Sequence, residues 1–100
     1  MRTDNPHIHK INELLQNLYE NPSMSIYSDL VYECGALERQ TNNTYIEDKL
    51  GNIRIEAKMV ATGRYDRGFT LEGVKQHLLG DINNIESELI YRKKLADQML

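Results

Sequence analysis

An all-α fold is what this sequence predicts: a single domain of four helices with a long carboxy-terminal helix. Three observations carry that expectation. Apolar residues recur at spacings of three and four through four segments. Cap and turn residues fall between those segments. The 100-residue chain has no tryptophan and only two prolines, a balance that leans towards helix. A chain of this length suffices for one domain around one core and is too short for two.

The first segment, NPHIHKINELLQNLYENP, opens with Asn5 as a cap and accepts Pro6 in its first turn. Ile8, Ile11, Leu15 and Leu18 form its apolar stripe, and Asn21 with Pro22 stops it. Ser23 or Ser25 caps the second segment, whose stripe is Tyr27, Leu30, Cys34 and Leu37, flanked by Ile26 and Val31. Gly35 inside this helix weakens it by about 1 kcal/mol relative to alanine, and close packing against another helix is the use expected of it.

The third segment supports two readings. Ile53, Ile55, Ala57, Met59 and Ala61 alternate as in a strand, while Ile46, Leu50, Ile53, Ala57 and Val60 recur as in a helix. Its ends favour the helix. Thr44 followed by Glu47 reads as a capping box, and Gly63 falls where a helix ends in a left-handed residue, which predicts a helix over 44–62. The alternative is an α+β fold with a small β-hairpin or meander in residues 36–61, turning at TNNT and LGN. The last segment is capped by Thr70 and striped by Leu71, Val74, Leu78, Ile82, Ile85, Leu89, Ala96 and Met99. Such a helix outruns a compact domain, whose radius of gyration is about 13 Å, and Gly80 is where it would kink or split.

Charge is unevenly placed. Residues 1–50 carry four basic and eight acidic side chains, and residues 51–100 carry eight and seven. This lacks the concentrated basic face of a general nucleic-acid binder. Cys34, the only cysteine, forms no intrachain disulfide and reads as a core residue. MRTDNPHIHK lacks the apolar centre of a signal peptide, and no apolar run approaches the roughly 20 residues of a membrane span. A cytoplasmic protein without membrane contact is expected.

Chemistry is sparse. His7 and His9 are two apart on a helix and face different ways. His77 and Asp81, four apart, read as a surface pair rather than a metal site. Glu33, Glu38, Glu47, Asp48 and Glu56 read as a solvated acidic face, since the Glu-x-x-His units of carboxylate metal bundles are missing. No catalytic residue, metal ligand or cofactor is assigned, and an enzyme built on these carboxylates is the least favoured reading.

Two candidate surfaces remain. The loop TGRYDRGFT offers Arg64 and Arg67 as planar donor forks, Tyr65 and Phe69 as flat faces, and Thr70 at a helix amino terminus with unpaired amides. Against this, Asp66 can neutralise an arginine and Phe69 can staple the next helix to the core. The second surface is the end of the last helix, where Tyr91, Arg92, Lys93 and Lys94 follow Leu89 and precede Met99, with Glu88 placed to pair with Arg92. The function expected is that of a non-enzymatic cytosolic binding protein, an adaptor, inhibitor or assembly subunit. It would act through contacts with a protein partner, as a homo-oligomer. The alternative is binding of nucleotide or nucleic-acid phosphate at Arg64–Thr70.

Overall fold

Four capped segments, each with one apolar stripe, become four helices in the computed structural model, which describes residues 4–66 and 68–99. They are α1 (Pro6–Glu20), α2 (Met24–Thr41), α3 (Thr44–Thr62) and α4 (Leu71–Gln98). No strand occurs among the described residues. The caps explain the boundaries. The Asn5 side chain accepts from the amides of His7 and Ile8, Ser23 from Ser25 and Ile26, and Thr70 from Gly73. Each satisfies donors that a helix start leaves orphaned.

Short turns make successive helices antiparallel neighbours. α1 packs on α2, α2 on α3 and α3 on α4, while α1 makes lighter contacts with α3 and α4. α2 and α4 do not meet among the described residues. The core is wholly aliphatic apart from Cys34 and Met59, and includes Ile11, Leu18, Leu30, Leu37, Leu50, Ile53, Val74, Leu78 and Ile85. Each such side chain contributes about 1.5–3 kcal/mol on burial.

Residue 55 settles the third segment. Ile53 and Ala57 are fully buried, yet Ile55 between them is 62% exposed. Strand alternation would place all three on one face, whereas a helix turns the middle residue away. The hairpin alternative over 36–61 is therefore overturned.

Three local expectations need correction. The cap of α3 is Asn43, whose side chain accepts from the Ile46 amide, and Thr44 is the first helical residue. The reason is the brevity of the turn: Asn42 ends α2 in the left-handed conformation (φ 45°), leaving Asn43 as the extended residue. Gly35 is not a site of close helix packing, because a Cβ placed there would meet only the Arg39 guanidinium of its own helix, at 3.3 Å. α4 neither splits nor stops at Gly80.

At 1.5 Å per residue, α4 is about 42 Å long against about 28 Å for α3, from 28 and 19 residues. The molecule is correspondingly elongated, 48 × 24 × 22 Å. The last α4 residue packed against the core is Leu89. About 13 Å of helix runs on beyond it.

Candidate functional site

The α3–α4 loop is built by two left-handed glycines, Gly63 (φ 70°) and Gly68 (φ 77°), a conformation that costs other residues about 1–2 kcal/mol. Gly63 closes α3 by donating its amide to the Met59 carbonyl at 2.8 Å, and the Phe69 amide reaches the Asp66 carbonyl at 3.0 Å. Between these turns the expected site residues separate. Tyr65 is half-buried against the core. Phe69 meets the His77 ring edge to face, with centroids 5.8 Å apart, and the Thr70 hydroxyl is occupied as the α4 cap at 3.1 Å. Arg67 lies outside the described residues. Arg64 is exposed, and it forms no ion pair with Asp66 or any other described residue.

Arg64 instead shares a groove with residues of α2 and α3, among them Arg54 and Lys58, which the sequence did not single out. A depression of about 570 Å³ runs along α3 and is lined by Tyr27, Arg54, Ile55, Lys58, Met59, Thr62, Arg64 and Asp66. Thr62 ties its end together: the hydroxyl donates to the Lys58 carbonyl at 2.8 Å and accepts from the Arg64 amide at 3.4 Å. Arg54 is held by an ion pair with Glu38 of α2, while Lys58 has no ion-pair partner among the described residues. The lining thus holds three cations and one carboxylate, Arg54 being already paired with Glu38 beside it, in a chain whose formal charge is −3.

The second surface is the overhang of α4. Tyr91 is 54% and Met99 86% exposed, and half-buried Leu95 lies one turn from each, so the three share one face of α4 beyond its last core contact. Arg92 is anchored by Glu88, Nε to Oε1 at 2.7 Å, and its guanidinium lies 5.9 Å from the Tyr91 ring centre. The bond from Arg92 holds the Glu88 carboxyl below its usual range, helped by a second bond from Asn43 and opposed by burial. Lys93 and Lys94 are exposed. Two depressions flank the base of the overhang. One, of about 430 Å³, runs from Asn42, Asn43 and Thr44 to Leu89 and Arg92. The other, of about 470 Å³, lies along Asn83, Ser87, Ile90, Tyr91 and Lys94.

Of the five carboxylates expected to form a solvated face, Asp48 is exposed and neither it nor Glu47 has an ion-pair partner among the described residues, but the other three are engaged between helices. Glu33 meets His7 Nδ1 at 3.0 Å, Glu38 meets Arg54, and Glu56 meets His77 Nδ1 at 3.0 Å. Each pair spans two neighbouring helices, and this is why spacing along one helix did not reveal it. His77 accordingly pairs with Glu56 rather than with Asp81. The second Glu56 oxygen is buried without a hydrogen-bond partner among the described residues. Burial, reinforced by this carboxylate, pushes the Tyr19 phenol up to about 12. Burial is also the main cause that raises Cys34 to about 12, although the Arg54 charge pulls the other way. That thiol is fully inaccessible and is not a nucleophile at neutral pH. No group of three or more metal-ligating side chains occurs among the described residues, and no helix there is long and apolar enough to cross a membrane.

No family model, curated protein or solved structure matches this chain. Its surfaces must therefore be interpreted from their own chemistry.

Proposed function

We propose that this chain is a small non-enzymatic binding protein that works through protein–protein contacts and associates with copies of itself through the end of α4. The observation that carries the reading is the overhang: a helix continues past Leu89, its last core contact, with Tyr91 and Met99 exposed and half-buried Leu95 between them on one face. The overhang propagates from the packed part of α4 and needs no nucleus of its own, but the apolar residues on it gain nothing until something covers them. A second overhang crossing the first supplies such a cover, and the depressions at its base give room for side chains from the other copy.

The non-enzymatic part rests on the two histidine–glutamate pairs. His77 sits on an outward helix surface with its side chain 58% exposed, His7 is half-buried against Glu33, and neither lines the grooves described above. In this reading the pairs join neighbouring helices and are given no catalytic role.

One crossing of two short helix ends hides only a few hundred Å² per chain, at the low end for specific interfaces. The expected assembly is thus in concentration-dependent exchange. Sedimentation velocity over a wide concentration range should show mass rising above one chain. Ending the chain before Tyr91 should abolish that rise while preserving the helical spectrum, because Leu89 remains. A single-chain mass that stays constant to high micromolar concentration refutes the reading.

A further inference from the structure

We propose that the groove along α3, between α2 and the α3–α4 loop, is a docking site for an acidic amphipathic segment of a protein partner. The inference goes beyond self-association through α4 and does not depend on it.

The groove carries two parallel rows. Arg54 and Lys58 are one helical turn apart, about 6 Å along the axis, and Arg64 lines the same groove from the loop beyond α3. Ile55 and Met59 repeat the same spacing one residue further on. The cationic row and the apolar row therefore share a pitch. A partner helix with carboxylates at i and i+4 and an aliphatic residue beside them presents the complementary rows.

Two features show that the cations and Ile55 are available, with Met59 a core residue only 9% exposed at the groove floor. Ile55 is 62% exposed in mid-helix, the one aliphatic side chain of α3 turned fully outward from the core. Lys58 and Arg64 have no ion-pair partner among the described residues. Arg54 is fixed in place by Glu38, and its planar fork has more donors than that bond uses.

Spacing and charge favour an acidic peptide over a phosphate group or nucleic acid. Arg54 and Lys58 are set about 6 Å apart along the α3 axis, a spacing that matches carboxylates one turn apart on a partner helix. A polyanion extending beyond the groove would meet the acidic amino-terminal half of the chain, and it would leave Ile55 uncovered.

The 100-residue chain is used to select from a displayed library of short peptides, and selected peptides are measured by fluorescence anisotropy. Enriched sequences should pair Asp or Glu at a spacing of three or four with Leu, Ile or Phe. Affinity should fall tenfold or more in the double variant Lys58→Glu, Arg64→Glu, and likewise in Ile55→Asp. The Lys58→Arg, Arg64→Lys double variant should retain it. All these positions are exposed, so circular dichroism should match wild type. The proposal is overturned if no sequence class is enriched, or if enriched peptides lack acidic residues. It is equally overturned if charge reversal leaves affinity unchanged, or if a single-stranded thymidine oligonucleotide binds more tightly than the peptides.

Discussion

Replacing Gly80 by alanine should stabilise this domain, even though the position lies near the middle of its longest helix. A helical glycine costs about 1 kcal/mol relative to alanine, because it has more backbone freedom to lose on folding. Whether that gain is realised depends on the space around the new methyl group. A Cβ built at Gly80 meets no heavy atom within 4 Å, and the same is true at Gly51 in α3. Neither residue has a positive φ, so neither needs the freedom that only glycine has. Each substitution should therefore add about 0.8–1 kcal/mol, which for a domain of this size raises the melting temperature by roughly 4–8 °C per kcal/mol. Gly35→Ala should gain less, because its Cβ falls 3.3 Å from the Arg39 guanidinium and that side chain must swing aside. Urea unfolding followed by helical circular dichroism measures the effect, best on the chain ended before Tyr91 so that association adds nothing. An unchanged m-value with a higher midpoint is the expected result. A lower midpoint for Gly80→Ala would refute the reasoning, since it would mean that α4 bends at residue 80 or is approached there more closely than the structure shows.

Cys34, fully buried with its thiol pushed up to about 12, should resist iodoacetamide in the native protein and react only at the rate of global opening. Fast labelling under native conditions would contradict the packing of α2. In acid, Glu88 and Asp81 should act with opposite signs. The Glu88 carboxyl is lowered by Arg92, so its contribution is present above about pH 4.3 and is lost as the pH falls further. Glu88→Gln should flatten that part of the stability profile. Asp81 is raised by burial, against the charges of Lys49 and His77. Ionised Asp81 therefore costs stability at neutral pH, and Asp81→Asn should stabilise at pH 7 with a gain that vanishes below about pH 4.

The helices were legible because their signals are local. Asn5, Ser23, Gly63 and Thr70 sit where they were expected, and the stripes of α1, α2 and α4 supplied most of the core. The α3 cap was misplaced by one residue because Thr44 with Glu47 looks like a capping box whether or not the preceding turn leaves room for it. The site was far less legible. TGRYDRGFT drew attention as a contiguous string, but folding turns Tyr65 to the core, Phe69 to His77 and Thr70 to the α4 amides. Only Arg64, of its described residues in the expected site, joins a larger surface. Its companions Arg54 and Lys58 lie on the preceding helix, and nothing in a linear reading distinguishes them from ordinary solvated cations. One signal was available: Ile55, an apolar residue off the helical stripe, counted in favour of a strand when it marked an outward face.

The polar pairs between helices have a consequence for how this sequence chooses one structure. Aliphatic stripes are poor at fixing alignment, since leucine and isoleucine side chains displaced by one turn, about 5.4 Å, find nearly equivalent neighbours. Each consecutive seam nevertheless carries a directional contact: His7 to Glu33 for α1 and α2, Glu38 to Arg54 for α2 and α3, and Glu56 to His77 for α3 and α4. Between α1 and α4, the Lys75 ammonium sits 5.1 Å from the Tyr19 ring centre. Sliding any helix by a turn would break its contact and strand a carboxylate of which little is open to water, at a cost that an unpaired buried charge makes large. These four contacts act as dowels, adding little strength to a joint that the aliphatic core already holds but permitting only one way to assemble it.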